Sequence, residues 1–193
     1  MRFSEEDPEA GQILQRVETD HAQLAPIVRK ILDDYPCYSR NVFIMMRFKR
    51  SKQFDEIVNA IREGLHTYGL YGIRADDKAY TDDLWLNICA YMWSSKFGVA
   101  VLEDFEERDF NPNIALEYGF MMGLGRRVLL LKEDRMPRVP SDITGKLWKP
   151  FSVFDIHPSI TRQVALWAVD LGFSPTPQGD PGYVPPIEFA PLM

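Results

Sequence analysis

Asn113 and Glu117 lie four residues apart in the stretch DFNPNIALEYGFMMGLGRRVLLL, Asp109 to Leu131, where almost every neighbour is apolar. On a helix that spacing puts both side chains on one face. A carboxylate in such surroundings is costly unless a charge partner, hydrogen bonds or a polar cavity compensates. Two readings stand side by side. In one, an arginine such as Arg74 closes on Glu117 as a buried ion pair. In the other, the carboxyl faces a crevice with a raised pKa or a poised negative charge, the condition under which a carboxylate does chemistry.

The elements that would position these residues follow from periodicity. VFIMM, LYGIRADD, FGVAVLED and RRVLLLKE read as strands, with PFSVFD a fifth. Between them, FDEIVNAIREGLHTYG, TDDLWLNICAYMWSS and PNIALEYGFMMGLG repeat their apolar residues at helical spacing, and SITRQVALWAVDLG closes the series. Thr81 is expected to cap the second of these helices, with Asp82 and Asp83 in its first turn, and Asn111 to cap the third, with Pro112 at its first position and Gly125 at its stop. Apolar residues cover most of that third helix, so little of it is expected in open water. Alternating strands and helices with continuously apolar strands predict a parallel sheet covered on both faces, a flavodoxin-like doubly wound α/β fold of strand order 2-1-3-4-5.

In such a sheet ligands bind beyond the carboxyl ends of the strands, where the strand order reverses. The residues due there are Met46, Arg47, Phe48 and Lys49 after strand 1; Arg74, Asp76 and Asp77 after strand 2; and Asp104, Phe105 and RDFNPN after strand 3. That location favours the chemical reading of Glu117 over the ion pair. RFKRSK, Arg47 to Lys52, reads alone as the solvated start of a helix rather than as an anion site.

Composition bounds the rest. The chain has 193 residues and a formal charge of −6, with 46% hydrophobic residues. This is enough for one ordered main domain, and the acidic balance argues against nonspecific binding to nucleic acid or an anionic membrane. No apolar run is long enough to span a bilayer, and the acidic N-terminus is unlike a secretory signal, so a cytoplasmic location is expected. Cys37 and Cys89 lack metal-ligand spacing, and no metal or cofactor is expected.

Residues 1–40 read as a helical extension. Ile13, Leu14, Val17, His21, Leu24, Val28, Ile31 and Leu32 form one stripe, with Pro26 a potential kink and His21 a packed histidine. The stripe must be covered by the main domain, residues 41–172, or by a second subunit. Residues 173–193, rich in proline, form an extended arm. A homo-oligomer joined through the helix or the arm is one expectation for this chain.

VFIMMRF, IRADD and above all NPNIALEYGFMMGLGRRVLLL resemble the nucleoside 2-deoxyribosyltransferase-like group and the bacterial TIR-like proteins related to it, over roughly Asn41 to Lys132. The resemblance implies cleavage or transfer at an N-glycosidic bond of a small nucleotide or nucleoside, with Glu117 as the catalytic carboxylate stabilising or trapping the ribosyl cation. Asn113 would orient Glu117 or the sugar. Arg47 and Lys49 would hold a phosphate or diphosphate; Phe48, Trp85 and Phe105 would stack on a base; Asp76, Asp77 and Asp104 would bond ribose hydroxyls. Met46-Arg47-Phe48 stands where that group has Met-Pro-Phe, and ERDFNPN replaces its Asp-Gly-Thr run. These departures move the expectation from deoxyribosyl exchange to glycohydrolysis of NAD or a related nucleotide. The competing class is a catalytically silent nucleotide-binding sensor that signals through the helix or the arm. A phosphoacceptor receiver fits poorly because the acidic pair follows strand 2, and no P-loop motif is present.

Overall fold

In the computed structural model, residues 7–49, 51–105, 111–137 and 147–176 are described. The strands are β1 (Asn41–Met45), β2 (Tyr71–Ile73), β3 (Phe97–Leu102), β4 (Arg127–Glu133) and β5 (Lys149–Phe151). The helices are α1 (Pro8–Asp20), α2 (Ala25–Asp34), α3 (Lys52–His66), α4 (Leu84–Trp93), α5 (Pro112–Gly123) and α6 (Ile156–Asp170). All strand pairs are parallel, in the order β2-β1-β3-β4-β5. This is the flavodoxin-like arrangement, and it fixes the reversal of strand order between β1 and β3.

Because successive side chains on a strand point to opposite faces, each strand feeds two cores. Phe43, Met45, Ala100, Leu102 and Leu130 point to the first face, beneath α1, α2, α4 and α5. Val42, Ile44, Met46, Val99, Val101, Leu129 and Leu131 point to the second, beneath α3 and α6. Strands buried on both faces leave no room for polar alternation, which is why they read as unbroken apolar runs.

The N-terminal extension is covered by its own chain. Val17, Val28, Ile31 and Leu32 are fully or almost fully buried within the first core. Asn41, at the start of β1, ties it down with two buried hydrogen bonds, donating its side-chain amide to the carbonyls of Tyr35 (2.9 Å) and Ser94 (3.1 Å). The single stripe expected over this region is two helices broken at residues 21–24, and Pro26 lies in the first turn of α2, where it kinks nothing. His21 is an exposed C-cap residue whose ring lies 5.4 Å from that of Trp93.

Helix α4 also starts later than expected. Asp83, not Thr81, is its cap, accepting a hydrogen bond from the Leu86 N–H at 2.9 Å, while the Thr81 hydroxyl accepts from the Asp83 N–H. A carboxylate at a helix N-terminus has the favourable dipole that a hydroxyl lacks. The end of the proline-rich arm, residues 177–193, lies outside the described residues.

Candidate active site

Helix α5 is set by its two ends. Asn111 accepts a hydrogen bond from the Asn113 N–H at 3.1 Å, Pro112 occupies the first turn, and Gly125 adopts φ 73° after the last turn. That backbone conformation is one that glycine reaches without the Cβ clash of other residues. The helix lies close on β3 because Gly98 has no side chain: a Cβ there would meet Met45 Cε at 2.8 Å and Met121 Cε at 3.1 Å.

On this helix Ile114, Tyr118 and Met121 turn into the first core, and Glu117 goes in with them at 5% exposure. Burial pushes its carboxyl from the ordinary 4.5 up to about 7. Among the described residues it has neither an ion-pair partner nor a hydrogen bond. Across from it on α4, the Cys89 thiol is pushed up to about 11, chiefly by burial and further by the charges of Asp83 and Glu117. The arginine that would neutralise Glu117 is occupied elsewhere. Arg74 grips Asp76 through Nε and Nη2, both at 2.7 Å.

The expectation that α5 is covered all round is corrected by its outer side. Leu116 and Met122 are exposed, as is Asn113. The boundary of the helix's buried face therefore runs between Asn113 and Glu117, which differ by about 40° around the axis at roughly 100° per residue.

The carboxyl ends of the strands are held by ion pairs. Arg47, following β1, donates Nε to Glu103 Oε1 at 2.9 Å, and their side chains are 15% and 2% exposed. This pair spans β1 and β3, the point of strand-order reversal. Asp77 receives both contacts of Arg62 Nη2, at 2.7 and 2.6 Å, and the Arg74 N–H at 2.8 Å, which locks the loop after β2 to α3. Asn87 stitches the same loop to α4, accepting from the Tyr80 N–H and donating to the Ala75 carbonyl.

The remaining residues expected at the site divide by face. Met46 is buried in the second core, and Phe105 packs on Phe54 with ring centroids 5.2 Å apart, so both lie across the sheet from Glu117. Phe48 is exposed, while Lys49 and Asp104 are half-buried. Trp85, at the start of α4, stands edge-on to Phe120 of α5 at 6.4 Å and leaves part of its ring in solvent. Thus the structure brings Arg47 together with the end of β3, keeps Arg74 and Asp76 paired within their own loop, and ties Asp77 to Arg62 of α3.

Sequence reasoning missed Glu103. Its signal was available: an acid following β3 beside a chain-distant Arg47 following β1, both at the reversal point, and an arginine there is best satisfied by a neighbouring carboxylate.

A cavity of about 340 Å³ opens between the end of α2 and the loop after β2, lined by Lys30, Asp33, Asp34, Lys78, Ala79 and Tyr80. Asp34 accepts from the Tyr80 hydroxyl and, at 2.5 Å, from Lys78 Nζ, so part of this wall is already satisfied from within. Glu117 does not line it. No three or more histidine, cysteine or acidic side chains among the described residues are grouped to hold a metal ion, and no described helix is long and apolar enough to cross a membrane.

No family model matches the chain, and no curated protein is similar to it. A solved structure of a 2-deoxyribosyltransferase from the psychrotolerant bacterium Bacillus psychrosaccharolyticus aligns with 57% of this chain and 85% of that one, at 14% identity and a TM-score of 0.43.

Proposed function

We propose that this protein cleaves the N-glycosidic bond of a nucleoside or nucleotide, with Glu117 as the catalytic carboxylate. The observation that carries the reading is the state of Glu117: a buried carboxyl without a charge partner among the described residues, its pKa pushed up to about 7 by burial, on the helix that follows the strand-order reversal. Near neutral pH such a group is divided between acid and anion. As an anion in a poorly solvated setting it attracts a neighbouring positive centre far more strongly than a solvated glutamate does.

Breaking the bond between C1′ and the base nitrogen sends the electron pair to the base, which takes up a proton, and leaves positive charge on the sugar ring. The Glu117 carboxylate stabilises that charge or traps C1′ as an ester. Water then completes hydrolysis, or a second base completes transfer. Only the ionised form does this work, so kcat/KM is expected to rise with pH through a limb near 7.

The Arg47–Glu103 pair bears on the substrate. A diphosphate at Arg47 must compete with a carboxylate that is 2% exposed and 2.9 Å away. This weighs toward uncharged nucleosides over NAD, against the expectation that Arg47 and Lys49 hold a diphosphate. The test is incubation with 2′-deoxynucleosides, ribonucleosides, nucleoside monophosphates and NAD, with chromatography for free base or nicotinamide. Base release is expected, faster from the nucleosides than from their phosphorylated counterparts. Binding without release across the whole panel would replace the enzyme by the sensor reading.

A further inference from the structure

We propose that the cavity between the end of α2 and the loop after β2 binds a small zwitterion of the free α-amino acid class, one ammonium and one carboxylate on a short frame. Its volume of about 340 Å³ is that of a small-molecule site, and Glu117 is not among its walls.

One half of the lining is closed on itself. Asp34 accepts hydrogen bonds from the Tyr80 hydroxyl and from Lys78 Nζ, and Lys78 Nζ lies 4.7 Å from the centre of the Tyr80 ring. Burial pushes the Asp34 carboxyl up, but the two hydrogen bonds and the charge of Lys78 together outweigh it and hold the group below its ordinary 3.8, so it stays ionised. Asp34 and Lys78 thus cancel as charges. An ammonium has three donors, however, and Lys78 keeps capacity beyond its bond to Asp34.

The other half is open. Lys30 and Asp33, both exposed on α2, form no hydrogen bond or ion pair with a described residue. The cavity therefore presents one uncompensated positive group and one uncompensated negative group. That pattern selects the ligand, because a wrong charge is rejected by the group it cannot satisfy. A dianion such as inorganic phosphate would suit Lys30 and Lys78 but stand against the Asp33 and Asp34 carboxylates. A diamine would suit the carboxylates and stand against the lysines. A zwitterion meets both demands: its carboxylate accepts from Lys30 and the remaining donors of Lys78, and its ammonium donates to Asp33, each a charge-assisted hydrogen bond.

The walls are held from behind. Tyr91 of α4 donates its hydroxyl to the Lys78 carbonyl at 3.1 Å, and Asn87 donates its amide to the carbonyls of Ala75 (2.9 Å) and Lys78 (3.3 Å) while accepting from the Tyr80 N–H at 3.0 Å. Lys30 and Asp33 stand on a helix anchored by the buried Ile27, Val28, Ile31 and Leu32. Walls fixed in advance lose little binding free energy to ordering.

Isothermal titration of the full chain with glycine, L-serine and L-glutamine tests this, alongside acetate, methylamine, inorganic phosphate and putrescine. Saturable binding of one or more of the amino acids is expected, at least about 10-fold tighter than acetate or methylamine, each of which lacks one of the two charged contacts. Lys30→Met and Asp33→Asn are expected to weaken that binding by about 10-fold or more and to retain the wild-type circular dichroism, since both side chains lie on the solvent side of α2. Absence of saturable binding by all three amino acids at millimolar concentration overturns the proposal, as does tighter binding of phosphate or putrescine, or an affinity unchanged in both folded variants. These outcomes do not depend on whether Glu117 is catalytic.

Discussion

Glu117→Gln is expected to lose activity by about 10³-fold or more while becoming the more stable protein above neutral pH. The loss follows because the amide keeps the shape of the side chain but carries no negative charge for the sugar cation, and single removals of an essential catalytic group cost factors of this size. The gain in stability follows from linkage. The carboxyl titrates near 4.5 in the unfolded chain and near 7 in the folded one, so between those values the folded chain holds a proton that the unfolded chain has released. The wild type thus has its full stability below about pH 4.5 and loses part of it progressively as the pH rises through 7. By pH 8 to 9 the penalty approaches roughly 3 kcal/mol, at about 1.4 kcal/mol per unit of pKa difference. Glutamine pays no such penalty at any pH. Urea unfolding of both proteins at pH 5 and pH 8.5 reads the effect: a gap that opens with pH is expected, and parallel curves with equal midpoints at both pH values would remove the buried anion from the account. A residue kept at a cost to stability is what a functional role predicts.

Glu103→Ala is expected to destabilise the fold by about 3–5 kcal/mol, the range for removing one partner of a buried ion pair. The cost arises because Arg47, only 15% exposed, is left facing the end of β3 without the carboxylate at 2.9 Å. The double replacement Arg47→Met with Glu103→Leu removes both charges and is expected to recover most of that loss, since well-packed apolar groups replace buried ion pairs at little cost. Chemical denaturation of the two single variants and the double one measures the coupling. A Glu103→Ala change below about 1 kcal/mol would mean that the pair behaves as an exposed one.

The parts of the fold that were legible in the sequence are those decided locally. The five strands and their order follow from apolar runs alternating with helical spacing, and the ends of α5 follow from Asn111, Pro112 and Gly125, each acting through its own backbone neighbourhood. What was illegible depends on partners distant in the chain. Whether Arg47 faces a ligand or an acid is decided by Glu103, fifty-six residues away. Arg74 is a local case of the same kind: it is held in bidentate geometry by Asp76, two residues along, where the sequence also offered Glu117 as its partner.

Composition also concealed the outer side of α5. Leu116 and Met122 are as apolar as Ile114 and Met121, and only the packing of α4, α5 and β3 shows which pair is covered. The break between α1 and α2 was hidden for a related reason: the apolar spacing runs on through residues 21–24 although the helical hydrogen bonding of each helix stops there.

The account turns on the protonation of one side chain, and that can be observed directly. In a protein labelled with carbon-13 at the glutamate carboxyl, one resonance is expected to titrate with a midpoint near pH 7 and to be missing from the spectrum of Glu117→Gln. A Glu117 resonance titrating near pH 4.3, the value of a solvated glutamate, would contradict a carboxyl held in apolar surroundings, and with it the role assigned to this residue.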